Sequence, residues 1–586
     1  MGKVKRVNGS LVIAEGLTGA KIGDVVYIGN LKLIGEVVRI TGEDFALQCY
    51  EDTSGLQPGE PVIGTGSPLV AELGPGLIGE IFDGLERSEL ELWRISGPFI
   101  KKGYKIAPLR RDKKWHFVPR VRVGDEVQEG DILGTVQESS VIEHRIMVPI
   151  GVRGVVKRIE EGDFTVDETI AEVETASGNM VEVKMAQTWP VRIPRPYRER
   201  LPITEPLFTG QRVIDTFFPI AKGGTAAIPG GFGSGKTVTL QQIAKWSDAD
   251  IVIYVGCGER GNEMADILTH FPELEDPRTG KKLIERAIFI ANVSNLPVAA
   301  REASVYFGVT IAEYFRDQGY DVAVIVDSTS RWAEALRDMS GRLEEIPAEE
   351  GYPAYLAERI AGFYERAGRV ITLGSRERFG SVTIMGAVSP PGGDFSEPVT
   401  STTVRYVGAL WALDTELAYR RHFPAINWLR SFTKYVDVLV DFWRKHDPEW
   451  VRYRERALSI LEEASRLEEI ASVVGEKSLP EEQRLILLES EMIREGFLVQ
   501  NAFHPVDRYC PPERQAKILH VLVDFYDLAL PLIKSGIPVD KIRELRSVME
   551  LLRLKEKEKV EEIEEVFERV KKDLQTLRSK YEVRTA

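Results

Sequence analysis

Cysteine is nearly absent from this chain: Cys49, Cys257 and Cys510 are its only thiols, and they lie far apart in no CxxC pair. The seven histidines form no HxxxH spacing and no Cys/His cluster, so no zinc site or disulfide framework is expected, and a reducing compartment fits. No run of about 18 apolar residues occurs, and the opening MGKVKRVNGSLVIAEG lacks the apolar core of a secretory leader. The expectation is a cytoplasmic chain that does not itself span a membrane. Positive charge is also scarce. Its 76 Lys and Arg face 90 Asp and Glu, a formal net charge of −14, which disfavours a broad nucleic-acid footprint.

What is present is ordinary in bulk. Hydrophobic residues make up 43% and charged ones 28%, the balance of a soluble folded protein. At roughly 150 residues per domain, 586 residues predict three or four domains. From Val4 to about Thr65, short β-branched runs alternate with Gly, Asp and Asn turns, the cadence of a small β-barrel. A second β-rich block runs from about Asp112 to Arg192, where VRVGDEVQEGDILGTV and RGVVKRIEEGDFTVDETIAEVE read as half-repeats. Its rhythm is similar to the barrel-sandwich of biotinyl and lipoyl carriers, but ESSVIEHRIMVP holds no lysine for modification, so a structural insert is expected.

Between Thr225 and Ser389, apolar strands such as IVIYV, AIFIAN, VAVIV and VTIMGAV alternate with helical stretches, which predicts a mostly parallel sheet flanked by helices. After about Arg430 strand signals fade and charged amphipathic helices continue to the end. The expected fold is therefore multidomain α/β. It has an N-terminal β-barrel over 1–70, a connector over 71–111, and a barrel-sandwich-like insert over 112–192. A P-loop nucleotide-binding α/β domain follows over 193–430, then a C-terminal helical domain over 431–586.

The P-loop assignment rests on Gly230, Gly231, Phe232, Gly233, Ser234, Gly235, Lys236, Thr237 and Val238, in IPGGFGSGKTVTLQQ. The string follows the strand-like TAAIP and opens a helix whose Leu240, Ile243 and Ala244 share one face. Glycines let backbone N–H groups wrap phosphates without Cβ clashes, Lys236 reaches the outer phosphates, and the Thr237 hydroxyl is a Mg²⁺ ligand candidate. Asp327 ends the buried run DVAVIVD, where P-loop proteins place the carboxylate that holds Mg²⁺ through water. Glu259 and Arg260 follow the strand IVIYV in GCGERGNEM. At the carboxyl edge of such a sheet, Glu259 can orient or deprotonate the attacking water and Arg260 can neutralise charge on the γ-phosphoryl group.

The set GGFGSGKT, GERGNEM, DSTSRWAEALR, EGYPAYL, SPPGGDFSEP and RRHFPAINW resembles the catalytic A subunit of archaeal/vacuolar-type rotary ATPases, and agreement extends through essentially the whole chain. The resemblance implies a RecA-like core, ATP or ADP and Mg²⁺ as ligands, and Phe423 and Phe503 as the aromatics that sandwich adenine. It also implies an alternating ring of three A and three B subunits. The B subunit would supply an arginine finger, with central rotor and peripheral stalk partners and an H⁺ or Na⁺ motor in the membrane. Such a chain would work as a peripheral protein on the cytoplasmic face of the cell membrane, with no nucleic acid. Two positions depart from relatives: Gly231 stands where archaeal members usually have proline, and Ser234 where eukaryotic ones have cysteine.

ASVVGEKSLPEEQRLILLESEMI reads as helix, turn, helix with Gly475 and Pro480 bracketing the turn, and aligns with the rotor-touching segment of rotary ATPases. Farther on, Val560, Ile563, Phe567, Val570, Leu574, Leu577 and Tyr581 step by three and four, a one-sided stripe expected to pack on the chain's own domain. Two alternatives stand beside the leading reading: a hexameric RNA-translocating ATPase, and an inactive nucleotide-binding ring subunit. The intact GSGKT and Glu259 argue against the second, while the acidic total and the long β insert argue against the first.

Overall fold

The computed structural model describes residues 1–97, 102–276, 279–294 and 296–585. They group into two compact units. One takes Met1–Ile203, Lys222–Thr225 and Ala249–Val407; the other takes Thr204–Ala221, Ala226–Asp248 and the chain from Gly408 on.

The first unit begins with a closed barrel of six strands, Gly2–Asn8, Leu11–Glu15, Asp24–Ile28, Leu33–Thr41, Asp44–Cys49 and Pro61–Pro68, arranged 1-2-5-4-3-6 in chain order. Alternate side chains turn inward, as a two-residue period requires, and Val4, Val12, Val26, Ile28, Val37, Leu47 and Val62 fill the interior. Arg39 Nη1 donates to the Leu343 carbonyl at 2.8 Å, tying the barrel to the helix Thr329–Arg342.

The stretch after the barrel does more than connect. Val70–Leu73 pairs antiparallel with Gln187–Pro190 at the base of the insert, and Ile81–Phe82 joins the main sheet beside Phe289 and Ile290. The insert itself is two four-stranded sheets, with Trp115, Phe117, Leu133, Ile146, Val156, Ile170 and Val173 buried. At the place where a carrier would present its lysine hairpin, the chain makes an anchor instead. The His144 ring, fully buried, meets Glu138 at 2.5 Å through Nδ1 and the Tyr314 hydroxyl at 2.8 Å through Nε2. Glu138 also accepts the N–H groups of Gly76 and Ile78. Burial pushes the Glu138 carboxyl up, but the His144 ring and those backbone donors outweigh it and hold its pKa below the ordinary value.

Replacing His144 with Phe keeps a ring of similar size and strands the buried carboxylate. A loss of about 3 kcal/mol is expected, measured as a lower melting temperature or urea midpoint. Because the folded pKa of Glu138 is depressed, its contribution is present above the ordinary glutamate value of 4.5 and is lost as pH falls through the folded value. The gap between variant and wild type should therefore narrow in acid.

The main sheet of this unit sets Ile81–Phe82, Ala287–Val293, Ile251–Glu259, Asp321–Asp327 and Phe379–Val388 side by side, all parallel. Gly368–Ile371 then runs antiparallel to Phe379–Val388 and carries Glu199–Leu201 on its far side. Strands buried on both faces read as the continuous apolar runs seen in the sequence. The helix Val298–Asp317 is buried along nearly its whole length, from Ala299 through Asp317.

In the second unit Thr225–Pro229 pairs parallel with Ala409–Leu410, and a short strand at Phe432–Thr433 pairs antiparallel with the latter, just past the point where strand signals fade. The helices Val436–His446, Trp450–Val474, Glu481–Ile493, Pro512–Lys534 and Val560–Thr585 form the C-terminal bundle. Trp450–Val474 ends at Gly475, whose φ of +86° lies in the left-handed region that side chains avoid. The turn leads through Pro480 into Glu481–Ile493, and Ile470, Val473 and Val474 are exposed at its tip. Ile563, Val566, Phe567, Val570 and Leu574 are buried on one face of Val560–Thr585, which packs against Pro512–Lys534. The stripe thus serves the chain's own bundle.

Candidate active site

In the second unit the strand Thr225–Pro229 leads through a glycine-rich loop into the helix Lys236–Trp246. Gly233 and Gly235 have φ of +79° and +82°, and Ser234 Oγ donates back to the Gly231 carbonyl at 2.8 Å, which curls the loop over the helix start. A Cβ on Gly235 would lie 3.2 Å from the Phe423 ring, and one on Gly230 would strike Ser234 Oγ and Leu413. Gly231 is not among the left-handed residues, and a Cβ there meets only Thr415, at 3.4 Å. Lys236 Nζ reaches the Gly230 carbonyl at 3.5 Å, so the ammonium lies back along the loop it would share with phosphate. Leu240, Ile243 and Ala244 are buried, as their spacing predicts, while Phe232 and Val238 face outward.

The structure brings Phe423 to this loop, and its ring is 41% exposed. Phe503 is 90% exposed on the turn that follows Asn501. The two aromatic segments are linked, since the Gln500 N–H donates to the Phe423 carbonyl at 2.8 Å. Behind them lies a residue that sequence reasoning did not single out. Arg212, fully buried, donates to the Phe497 and Val499 carbonyls and to Asp507 Oδ1, while its own N–H is taken by Gln500 Oε1. Asp507 in turn accepts the Asn501 N–H. An exposed aromatic on a turn loses little entropy on binding when the turn is already braced.

In the first unit Asp321–Asp327 and Ile251–Glu259 are neighbouring parallel strands, with Gly256 opposite Asp327. Asp327, Glu259 and Arg260 thus gather at the carboxyl ends of adjacent strands, where open α/β sheets place ligands. Asp327 is 1% exposed and accepts a hydrogen bond from the Tyr254 hydroxyl at 3.1 Å. Burial first, and the Asp327 carboxylate second, push the Tyr254 phenol well above its usual pKa, so it stays a donor. Tyr254 is a second residue missed from sequence. The signal was there, a lone hydroxyl within the apolar run IVIYV. Arg260 stands at the position just before the helix Gly261–His270 and is exposed. Cys257, two residues before Glu259, is no nucleophile, because burial pushes its thiol up to about 12.

The donor types fit the ligands that the sequence implies. Thr237 and Asp327 offer hard oxygen atoms suited to Mg²⁺, which keeps several waters and takes few protein ligands. Among the described residues no group of three or more His, Cys, Asp or Glu is clustered as an all-protein metal cage. The left-handed glycines leave a loop of backbone N–H groups at a helix start, the arrangement that receives phosphate.

Comparisons with known proteins bear on this arrangement along the whole chain. Residues 4–66 match the β-barrel domain of the ATP synthase alpha/beta family, 106–192 its barrel-sandwich domain, and 210–433 its nucleotide-binding domain. Residues 440–543 match the C-terminal domain of V and A type ATP synthase. The A subunit of the A-type ATP synthase of Thermofilum pendens is 59% identical over 555 residues, covering 94% of this chain and 92% of the relative. That of Thermococcus kodakarensis is 58% identical over 547 residues, covering 93% and 94%. That of Methanopyrus kandleri is 56% identical over 583 residues, covering 99% and 97%. A solved structure of the ATPase EscN from the enteropathogenic E. coli type III secretion system shares the fold, with a TM-score of 0.64 at 21% identity over 89% of this chain and all of that one. With its four domains matched in order and more than half its residues shared with these archaeal proteins, the chain belongs to the family of A-type ATP synthase A subunits.

Proposed function

We propose that this chain, as the catalytic subunit of a rotary A-type ATPase, cleaves or forms the β–γ phosphoanhydride bond of ATP with the Gly230–Thr237 loop as its phosphate cradle. The observation that carries this reading is the loop itself: left-handed Gly233 and Gly235 at the start of Lys236–Trp246, with the exposed Phe423 ring against Gly235. Lys236 neutralises the outer phosphates, and Phe423 and Phe503 hold adenine by stacking. In hydrolysis a water oxygen bonds to the γ-phosphorus as the bridging oxygen leaves with ADP. Glu259 orients that water and takes its proton, and Arg260 offsets charge on the phosphoryl oxygens. Thr237 and, through water, Asp327 would hold Mg²⁺, which when bound neutralises the β and γ oxygens.

Family membership disfavours the RNA-translocating and non-catalytic alternatives. It also supports a ring of three such chains with three B subunits, whose arginine fingers complete the sites. The exposed apolar tip at Ile470, Val473 and Val474 supports a seat for the rotor. No helix among the described residues is long and apolar enough to cross a membrane. In this reading, coupling to H⁺ or Na⁺ movement, with the chain on the cytoplasmic face, falls to other subunits of the complex.

Replacing Lys236 with Ala tests the cradle. Losing the one flexible cation on the outer phosphates should cost about 3 kcal/mol, roughly a hundredfold in Mg-ATP affinity, with turnover lost alongside. Nucleotide titration by fluorescence or calorimetry reads the first, and phosphate release the second. Wild-type affinity in the Ala variant would dismiss the loop as the phosphate site.

A further inference from the structure

The strand that carries Glu259 is irregular one residue before it. Against Ala287–Val293, Cys257 stands opposite Asn292 and Glu259 opposite Val293, so Gly258 is an extra residue, a bulge. Cys257 and Glu259 would share a face of a regular strand; the bulge sends them to opposite faces. Gly258 makes this possible with a φ of +73°. Bulges beside active sites re-aim side chains in this way, and something must keep them from relaxing.

Arg301, in the helix Val298–Asp317, is placed to do so. A Cβ at Gly258 would lie 2.8 Å from Arg301 Cδ and 2.9 Å from its Nε, so the side chain rests directly on the bulge, with Arg331 Cβ close by at 3.0 Å. Arg301 Nη2 donates to the Ser294 carbonyl at 3.0 Å, and the Ser294 N–H donates to the Glu259 carbonyl at 2.9 Å. The Arg301 carbonyl accepts the Cys257 thiol, so this one residue grips both sides of the bulge. Yet Arg301 Nε is buried with no hydrogen-bond partner among the described residues. A buried donor left unsatisfied is costly, and an apolar side chain would pack there without that cost. The bond to Ser294 is thus made at the cost of a buried unsatisfied donor.

We infer that Arg301 is a positioning residue for Glu259, pinning the Gly258 bulge so that the carboxylate leaves the strand in the one direction that meets the attacking water. This rests on the reading of Glu259 as the water-orienting base. Arg301 touches neither nucleotide nor water in this scheme. Its influence passes through the backbone of Gly258, Glu259 and Ser294.

The experiment uses the assembled enzyme. Arg301→Met keeps an unbranched stem against Gly258 and removes the bond to Ser294; Arg301→Lys keeps a cation and a donor. Arg301→Met is expected to lower kcat by about tenfold or more, with KM for ATP within about twofold, and Arg301→Lys to recover most of the loss. A merely structural residue would move melting temperature and assembly rather than kcat alone. If Arg301→Met leaves kcat within twofold of wild type, or changes KM and kcat together without rescue by Lys, the inference is overturned. Should Arg301→Met fail to assemble, Arg301→Gln decides, because it keeps a polar stem over the bulge but is too short to hold the Ser294 carbonyl. It should lose kcat at unchanged KM, and an unaltered kcat overturns the proposal. Glu259→Gln is measured in parallel. Normal turnover there would defeat the base assignment itself, whereas an inactive Gln variant beside a fully active Arg301→Met would defeat only the role of Arg301.

Discussion

Purified without the B subunit of the proposed ring, this protein should bind Mg-ATP yet hydrolyse it at about one-thousandth of the assembled rate or less. The expectation follows from what the chain can bring. It supplies a candidate phosphate cradle, a candidate metal carboxylate and a candidate base, but the transition state of phosphoryl transfer spreads charge over three equatorial oxygens. An arginine finger on those oxygens is worth about 10³ to 10⁵ in rate. In the proposed ring that arginine comes from the B subunit, so adding that partner should restore turnover as rings assemble. The gain should fall on kcat, because the proposed cradle is present beforehand. Single-turnover phosphate release on isolated chain and on reconstituted rings, matched for bound nucleotide, makes the comparison. An isolated chain that turns over at the ring's rate would remove the interfacial site from the proposal.

The second large effect separates binding from chemistry. Glu259→Gln preserves size and hydrogen-bonding reach but can neither carry charge nor accept a proton. Turnover should fall by about 10² to 10⁴, the range expected for a general base, while Mg-ATP affinity stays within a few fold. Lys236→Ala, in contrast, strikes affinity first. Titrating both variants with one nucleotide analogue and assaying the same preparations distinguishes the two roles. Equal loss of binding and turnover in the Gln variant would make Glu259 a structural residue.

How much of this was legible beforehand depends on how local each signal is. The glycine loop of the proposed cradle is legible because backbone geometry dictates its residue types. Gly233 and Gly235 occupy conformations that side chains avoid, and the lysine and threonine follow at fixed offsets. The helix after it was equally plain, since Leu240, Ile243 and Ala244 are buried at helical spacing. Asp327 stands out as the polar end of an apolar strand, where the structure also places it, with the Tyr254 hydroxyl beside it. Phe423 and Phe503 came only from family resemblance, because a sequence does not show which phenylalanines remain outside a core.

Other features depend on partners far away in the chain. Arg212 is fixed by Phe497, Val499 and Asp507, nearly three hundred residues on, and nothing around position 212 announces it. The edge strand Ile81–Phe82 is two residues long, too short for any alternation to register. Nothing near His144 and Glu138 in the sequence points to Tyr314, the partner that completes their buried contact. The Gly258 bulge lies between these cases. A glycine near the end of an apolar strand hints at one, but only the pairing with Asn292 and Val293 shows which side chain it turns.

The barrel at the start of the chain closes on itself, Gly2 and Lys3 pairing with Val62 and Pro61. Every strand there has two neighbours, and no row of unpaired N–H and C=O groups is left to recruit another strand. Any contact that another chain makes at this end must therefore be made side chain by side chain, and such contacts can be chosen to turn through a fixed angle and stop. Strand addition has no such stopping rule, since each added edge offers another, and it leads toward filaments. A barrel without a free edge thus ends the sheet within one chain, and any contact made at this end is finite.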